Sequence, residues 1–276
     1  MSLRRSRAWE NRLSTLSSSS YSDFGALCNA LGRLLLIRGA TLLQKVAATA
    51  DDAALLNIFE YLSTFNCSCR NSTRCRSCLD LRKPDIHRVT ALDKPAYTVE
   101  GYLIRSTTSA AMSPHTDEYL CEHPAHFVLL QCCAQSMSGG QTTLAYIDEV
   151  VERMDSAAIA ELSSPLFPTG SGFTRILSRN SHGWNVQYNH EALHEACRIR
   201  GYQLNAAQLA SLRQLDESIA KSLIEIQLNN EDILALNNHK TLHGRNAFAS
   251  DSGRLIKRVR VHSCTEATHH CGARGP

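Results

Sequence analysis

Two histidines and one aspartate set the strongest constraint on how this chain can fold. His115 and Asp117 stand two positions apart, and His243 follows far downstream. Two imidazoles and one carboxylate form a three-ligand set that leaves half of an octahedral ion open, the ligand pattern of non-haem Fe(II) oxygenases. Residues i and i+2 of a strand point to one face, so we expect His115 and Asp117 to converge on one ion. The fold must then bring His243 to the same place.

Further motifs accompany these residues in a fixed order. A Gly-Gly-Gln-Thr segment at 139–142 follows the first pair, a Leu-His-Gly-Arg segment contains His243, and a Gly-Arg pair comes after it. Together they resemble the taurine dioxygenase and clavaminate synthase-like family of Fe(II)/2-oxoglutarate dioxygenases. The resemblance spans about residues 31 to 261 and is strongest over 113–148 and 231–261.

Hydrophobic patterning alone indicates an α+β chain with antiparallel strands. The resemblance adds a specific architecture, a double-stranded β-helix (jelly-roll) core of antiparallel strands with flanking helices. The pattern predicts helices at 23–32, 54–62, 146–154 and within 190–228. It predicts strands at 34–39, 86–91, 97–106, 184–188, 233–236 and 256–261.

The resemblance also implies roles for individual residues. His115, Asp117 and His243 match the iron ligands, which makes them the expected catalytic and metal-binding residues. Arg254 lies where the family places an arginine for the far carboxylate of 2-oxoglutarate, since a guanidinium offers a two-pronged donor to that group. Thr142 matches the hydroxyl that binds the same carboxylate. The expected cofactors are therefore Fe(II), 2-oxoglutarate as cosubstrate, and O2.

Three further residues are candidates for contact with the substrate. Arg258 follows Arg254 by four positions, and in related enzymes this position can hold the anionic group of a sulfonate or carboxylate. Lys257 and Arg260 stand close by, so a solvated strand face is the alternative for Arg258. Tyr188 and His190, near the end of a predicted strand, could line the pocket, or simply pack in the core or contact solvent.

Composition limits the remaining possibilities. The net charge of +3 and the scattered basic residues give no nucleic-acid footprint, and no apolar run is long enough to span a membrane. We expect a flexible N-terminal tail over 1–22, one dioxygenase domain over 23–263, and a flexible C-terminal tail over 264–276. No apolar segment follows the N-terminal arginines as in a secretory signal, so we expect a cytoplasmic protein. The oligomeric state is not predicted.

Four cysteines cluster within a predicted loop over 66–79. Their spacing, with Cys67, Cys69, Cys75 and Cys78 close together, could hold a structural zinc ion in a tetrahedral set of thiolates. The gap between the first two is tighter than usual. Reduced surface thiols or a disulfide are the alternatives.

The sequence thus predicts hydroxylation of an unactivated C–H bond in a small, amino-acid-like substrate, with formation of succinate and CO2. The substrate could be free or bound to a carrier protein. Desaturation or cyclisation of a biosynthetic intermediate, or oxidation of a sulfonate, are alternatives within the family. Outside it, a zinc-dependent hydrolase or a binding module with a vestigial ligand set remain open.

Overall fold

The computed structural model of the protein describes residues 12–17, 20, 23–44, 52–65, 84–97 and 103–263. The cysteine-rich loop at 66–79 and the predicted tail at 264–276 lie outside the described residues. Within the described part, no helix has the length and apolar character needed to cross a membrane.

The first helix, α1, covers Phe24–Arg38. It begins after Asp23, whose side chain accepts a hydrogen bond from the backbone N–H of Ala26. It ends at Gly39, which has a φ of 82° in the left-handed region that glycine adopts without steric cost. The predicted strand at 34–39 is therefore wrong, because these residues continue the helix. An apolar run of this length fits a buried helix face as well as a strand.

The remaining helices lie at or near their predicted positions, except the one at Ser156–Leu162, which was not predicted. The predicted helix over 54–62 is confirmed, and the stretch 190–228 contains two helices as expected. The helices are α2 (Ala53–Ser63), α3 (Ile147–Val151), α4 (Ser156–Leu162), α5 (His190–Arg200) and α6 (Ala206–Ser222).

The larger sheet has six strands in the order β1-β2-β12-β5-β14-β3. Only the pairing of β1 with β2 is parallel, and the other neighbours are antiparallel. The strands are β1 (Ser14–Ser17), β2 (Ala40–Gln44), β3 (Ile86–Val89), β5 (Phe127–Ala134), β12 (Ile233–Asn237) and β14 (Leu255–Val261).

The smaller sheet has four antiparallel strands in the order β11-β6-β13-β4. These are β4 (Met112–His115), β6 (Thr142–Tyr146), β11 (Ile224–Ile226) and β13 (Thr241–Arg245). Strand β11 corrects the prediction, which assigned its residues to the helical stretch. Two hairpins add β7 (Phe167–Pro168) with β8 (Phe173–Thr174), and β9 (Leu177–Asn180) with β10 (Gly183–Val186).

The core lies in three layers because successive side chains of each strand point to opposite faces. In β12, Leu234 and Leu236 join an apolar cluster with residues of both sheets, while Ile233 and Ala235 pack on the opposite side with α1 and α2. Helices α3 to α6 cover the outer face of the smaller sheet. The result is a sheet sandwich flanked by helices, as predicted.

Two predictions fail at the edges of the sandwich. The predicted N-terminal tail is wrong at 14–17, because these residues form β1 and Leu13 and Leu16 are buried. Within the predicted strand over 97–106, residues 98–102 lie outside the described residues. The others form an isolated bridge between Tyr97 and Leu103 and part of a short 3-10 helix at Arg105–Thr107.

Two histidines pack edge to face at the end of the sandwich that carries Asp117. His126 precedes β5, and its ring centroid lies 5.2 Å from that of His239, which precedes β13. Burial lowers the pKa of His239 to about 4, and burial together with the neighbouring histidines lowers the pKa of His126 to about 4. Both rings are therefore neutral in the folded protein at neutral pH.

This burial predicts an acid-sensitive stability. The unfolded chain binds protons at the ordinary histidine pKa near 6.5, above the folded value, so each ring removes stability as the pH falls from about 6.5 towards 4. Each ring's loss is at most about 1.4 kcal/mol per pH unit. Between pH 7 and pH 5, we expect the free energy of unfolding of His239→Gln to fall by about 1–2 kcal/mol less than that of the wild type. Urea titrations at the two pH values measure this difference. Equal losses in the two proteins would contradict the expectation.

Candidate active site

His115, Asp117 and His243 meet at one end of the smaller sheet. His115 ends β4 and is the direct cross-strand partner of His243 in β13, with the two ring centroids 4.6 Å apart. Nε2 of His115 lies 3.5 Å and Nε2 of His243 3.6 Å from Oδ1 of Asp117. All three are buried, and theirs is the one set of three such side chains in the described part of the chain whose ligand atoms lie within 4.8 Å of one another.

Asp117 reaches this position from a turn rather than from the strand. Strand β4 ends at His115, so the expected alternation along one strand does not explain how the two side chains converge. The backbone N–H of Asp117 donates to Oδ1 of Asn238 over 2.8 Å, and Nδ2 of Asn238 donates back to the Asp117 carbonyl over 3.1 Å. The buried Asn238 thus holds the turn in place. The sequence analysis missed this role, although Asn238 lies within a family motif.

Two arginines of β14 neutralise the Asp117 carboxylate. Arg260 Nε lies 2.7 Å and Arg258 Nη1 lies 3.3 Å from Oδ2. Burial by itself raises the pKa of the carboxyl, but Arg258 and the other nearby charges and hydrogen bonds outweigh it and hold the pKa well below its usual range. Asp117 is therefore ionised at neutral pH.

The two imidazoles direct their Nε2 atoms at the carboxylate. Nδ1 of His115 lies 2.8 Å from the Ser113 carbonyl, to which it can only donate, so the lone pair of the neutral ring is on Nε2. Burial, and then the proximity of His115, lowers the pKa of His243 to about 3. Two neutral nitrogens and one carboxylate oxygen, all buried and close together, fit a divalent transition ion such as Fe(II).

An inner cavity lies beside these ligands, between the sheets. Thr142, Arg254 and Arg258 line it together with His115 and His243. The other residues of its wall are Val89, Ser106, Met112, Leu130, Leu228, Gly244, Arg245 and Ile256. The structure thus brings Thr142 and Arg254 to the same cavity as the candidate metal ligands, as their predicted role in cosubstrate binding requires.

Arg254 is buried, and its Nη1 has no hydrogen-bond partner among the described residues. The guanidinium lies over the ring of Phe248 at 5.2 Å, and the backbone of Gly140 passes close enough that a Cβ there would lie 3.0 Å from Arg254 Nε. Burial lowers the pKa of the guanidinium. The Gly-Gly turn therefore gives Arg254 room beside Thr142.

Arg258 lines two cavities at once. Its side chain is buried, so the alternative of a solvated strand face is wrong. It lies in the wall of the inner cavity and of a larger outer cleft of about 760 Å³. Its Nε has no partner among the described residues. Arg258 therefore stands where it can contact a ligand on either side.

The outer cleft is also lined by α5, which includes His190, a candidate from the sequence, and two residues that were not predicted. The first turns of α5 supply His190, Glu191 and His194, which face Asp117 and Arg260 across the cleft. The signal was present, since His-Glu-Ala-Leu-His at 190–194 has the spacing that puts two histidines on one helix face. Among the described residues, these histidines belong to no three-ligand group. Nδ1 of His190 lies 3.1 Å from Oδ2 of Asp216.

Tyr188 does not join either cavity wall. It is buried, and its hydroxyl donates to Oδ1 of Asp216 over 2.7 Å. Its backbone N–H donates to the Thr116 hydroxyl, which fixes the turn beside Asp117. This placement supports packing and positioning, and gives no support to the predicted contact between Tyr188 and substrate.

Comparison with known proteins agrees with this geometry. The model of the taurine catabolism dioxygenase TauD, TfdA family matches residues 15–260. The chain belongs to this family. It is therefore a dioxygenase by family, as the sequence motifs predicted. A search of curated proteins finds no match.

Solved structures share the fold at low sequence identity. An asparagine oxygenase in complex with Fe(II), 2S,3S-3-hydroxyasparagine and succinate is 14% identical, covers 86% of this chain and 78% of its own, and has a TM-score of 0.65. The non-heme iron oxygenase OrfP in complex with Fe, succinate and (3S)-hydroxy-L-Arg is 13% identical, covers 95% and 98%, and has a TM-score of 0.63. The jelly-roll prediction is confirmed by this likeness.

Substitution of Gly244 tests the geometry without replacing any of the proposed ligand residues. It lies between His243 and Arg245, and a Cβ there would lie 2.5 Å from the Met112 carbonyl of β4 and 2.8 Å from Thr143 Oγ1. We expect Gly244→Ala to push β4 away from β13 and to lower iron affinity about tenfold or more, because rigid interiors relax little around such contacts.

The matched control is Gly172→Ala, since nothing lies within 4 Å of a Cβ at that position. Iron binding to both variants is measured by anaerobic titration. Wild-type affinity in Gly244→Ala would contradict the close approach of the two strands.

Proposed function

We propose that this protein uses Fe(II) and 2-oxoglutarate to hydroxylate an unactivated C–H bond of a small amino-acid-like substrate, forming succinate and CO2. The observation that carries the proposal is the buried group of His115, Asp117 and His243 beside a cavity lined with arginines, in a chain of the TauD family. The outer cleft supplies a second space next to the same ligands.

His115, Asp117 and His243 would hold the iron through two neutral nitrogens and one ionised oxygen. When bound, iron supplies the activation of dioxygen and the oxidative decarboxylation of the 2-oxo acid. The protein's own contribution is to fix the ligands. Asn238 holds the turn of Asp117, Arg258 and Arg260 keep its carboxylate ionised, and the Ser113 carbonyl sets the tautomer of His115.

The inner cavity would hold 2-oxoglutarate. Nη1 of the buried Arg254 has no partner among the described residues, and Thr142 in β6 of the smaller sheet brings a hydroxyl to the same cavity. Leu130, Leu228 and Ile256 supply apolar walls that suit the methylene groups between the two carboxylates. Burial of these residues would also exclude water from the reacting atoms.

The outer cleft would hold the substrate. Its walls carry both signs of charge, with Arg105, Arg198 and Arg260 facing Glu118 and Glu191. Such a mixture suits the zwitterionic head of an amino acid, whose carboxylate and ammonium need opposite partners. The amino-acid products bound in the asparagine oxygenase and OrfP structures support the same substrate class. Arg258, in the wall of the cleft, is the proposed partner of the substrate's anion.

Other outcomes remain within the proposal. Desaturation or cyclisation can replace hydroxylation, a sulfonate can replace the carboxylate, and the amino acid can be attached to a carrier protein. A zinc-dependent hydrolase is disfavoured, since hydrolysis does not need the arginines of the inner cavity. We also propose a cytoplasmic location, where ferrous iron and free thiols are maintained. The zinc hypothesis for the cysteine cluster stays a prediction.

The iron site is tested by removing each ligand in turn. We expect His115→Ala, Asp117→Ala and His243→Ala to abolish iron binding and succinate formation, because two remaining ligands do not hold the ion for turnover. Iron content, succinate release and circular dichroism are measured on each variant. The exposed His123→Ala is the matched control and should keep wild-type values. Near-native activity in any of the three variants would remove that residue from the ligand set.

The substrate class is tested by a screen of free amino acids, their amides and small sulfonates. We expect substrate-dependent succinate formation from amino acids with a free carboxylate. Amides of the same compounds should bind about tenfold to a hundredfold more weakly, because a buried guanidinium would lose a charged partner. Turnover of neutral compounds alone would show that Arg258 does not recognise a substrate anion.

A further inference from the structure

Arg245 follows His243 by two positions on β13 and lines the same inner cavity. In the register of β13 with β6, Arg245 is the direct cross-strand partner of Thr142. Directly opposed residues of antiparallel strands lie on one face with their Cβ atoms about 4.5–5.5 Å apart. Arg245 is therefore next to the hydroxyl proposed to bind the cosubstrate.

Among the described residues, one nitrogen of the Arg245 guanidinium has hydrogen-bond partners and the other two have none. Nη2 donates to the backbone carbonyls of Thr108, Arg105 and Ala110. Nε and Nη1 are buried and have no hydrogen-bond partner among the described residues. Unmade hydrogen bonds of a buried charged group are costly, so a side chain held in this way indicates a ligand that completes them.

Arg245 and Arg254 form one cationic cluster. Both guanidinium groups lie over the ring of Phe248, at 4.7 and 5.2 Å, and Nη1 of Arg254 is also buried without a partner among the described residues. Burial and then the charge of Arg254 lower the pKa of Arg245 to about 10, so both groups are protonated at neutral pH. Within the described part of the chain, no carboxylate forms an ion pair with either arginine.

We propose that Arg245 is a second cation for the far carboxylate of 2-oxoglutarate, acting with Arg254 and Thr142. The inference rests on the proposed function and assigns a residue that specifies the cosubstrate. A carboxylate accepts about four hydrogen bonds, and the free N–H groups of the two arginines together with the Thr142 hydroxyl can supply them. The cavity should then select a 2-oxo acid with an anionic tail over one with a neutral tail.

The test compares 2-oxoglutarate with 2-oxopentanoate, which has the same carbon chain but lacks the far carboxylate. Binding of each to the iron-loaded protein is measured by calorimetry without oxygen. We expect Arg245→Gln to weaken 2-oxoglutarate binding about tenfold to a hundredfold and to leave 2-oxopentanoate within about twofold, because only the first ligand loses a charged partner. An equal change for both ligands would mean that Arg245 acts only by tying down residues 105–110.

Further variants separate the possible causes. Arg213→Gln, an exposed arginine on α6, is the matched control and should change neither affinity. Arg245→Lys keeps the charge, so we expect it to fold even if Arg245→Gln does not. Its ratio of 2-oxoglutarate affinity to 2-oxopentanoate affinity should lie between those of the wild type and Arg245→Gln. An unchanged preference in Arg245→Lys would overturn the proposal, because a lysine cannot reproduce the two-pronged donor.

Arg254→Gln distinguishes failure of this inference from failure of the proposed function. If the preference for 2-oxoglutarate is lost in Arg254→Gln but not in Arg245→Gln, the cosubstrate site stands and Arg245 is not part of it. If the wild-type protein itself does not prefer 2-oxoglutarate, the proposed function fails, and the proposal for Arg245 fails with it.

Discussion

The pairing of β4 with β13 is the interaction on which the site depends. It sets His115 directly opposite His243, and the pairing of β13 with β6 on its other edge sets Arg245 opposite Thr142. One strand in the middle of the smaller sheet thus places a proposed iron ligand, His243, and a cavity arginine, Arg245, on one face. A shift of one residue in its register would turn both side chains away from the cavity. Gly244 between them permits the close approach because it has no Cβ.

The charges around this strand are unbalanced in the protein alone. Asp117 is a buried carboxylate with Arg258 and Arg260 beside it, while Arg245 and Arg254 stand in the inner cavity without a carboxylate partner among the described residues. Buried cations are costly unless they are paired and hydrogen-bonded. An anionic ligand in this site would supply the missing partners of the buried N–H groups on its walls.

Sequence motifs predicted the chemistry of the site better than the path of the chain. The role of Arg254 depends on residue type and order, which the sequence carries, and the structure places it beside the ligand group. Asp117 was expected on a strand but lies in a turn held by a distant side chain, which periodicity cannot reveal. The apolar run at 34–39 fits either a helix or a strand. It forms the end of a helix that is capped by Asp23 and Gly39. Residues 14–17 look polar, yet tertiary pairing makes them a strand. The Tyr188 hydroxyl donates to Asp216 instead of lining a cavity, and no local sequence pattern links these two residues.

Arg258 connects the two cavities physically. Its guanidinium contacts the Asp117 carboxylate, and its side chain forms part of the wall on both sides. A buried side chain in a close-packed interior has few alternative positions, so a ligand that moves it in one cavity must change the other cavity and the environment of Asp117. Coupling between occupancy of the outer cleft and the inner cavity therefore requires no large conformational change. It requires only that one guanidinium, which contacts Asp117 and lines both cavities, change its position.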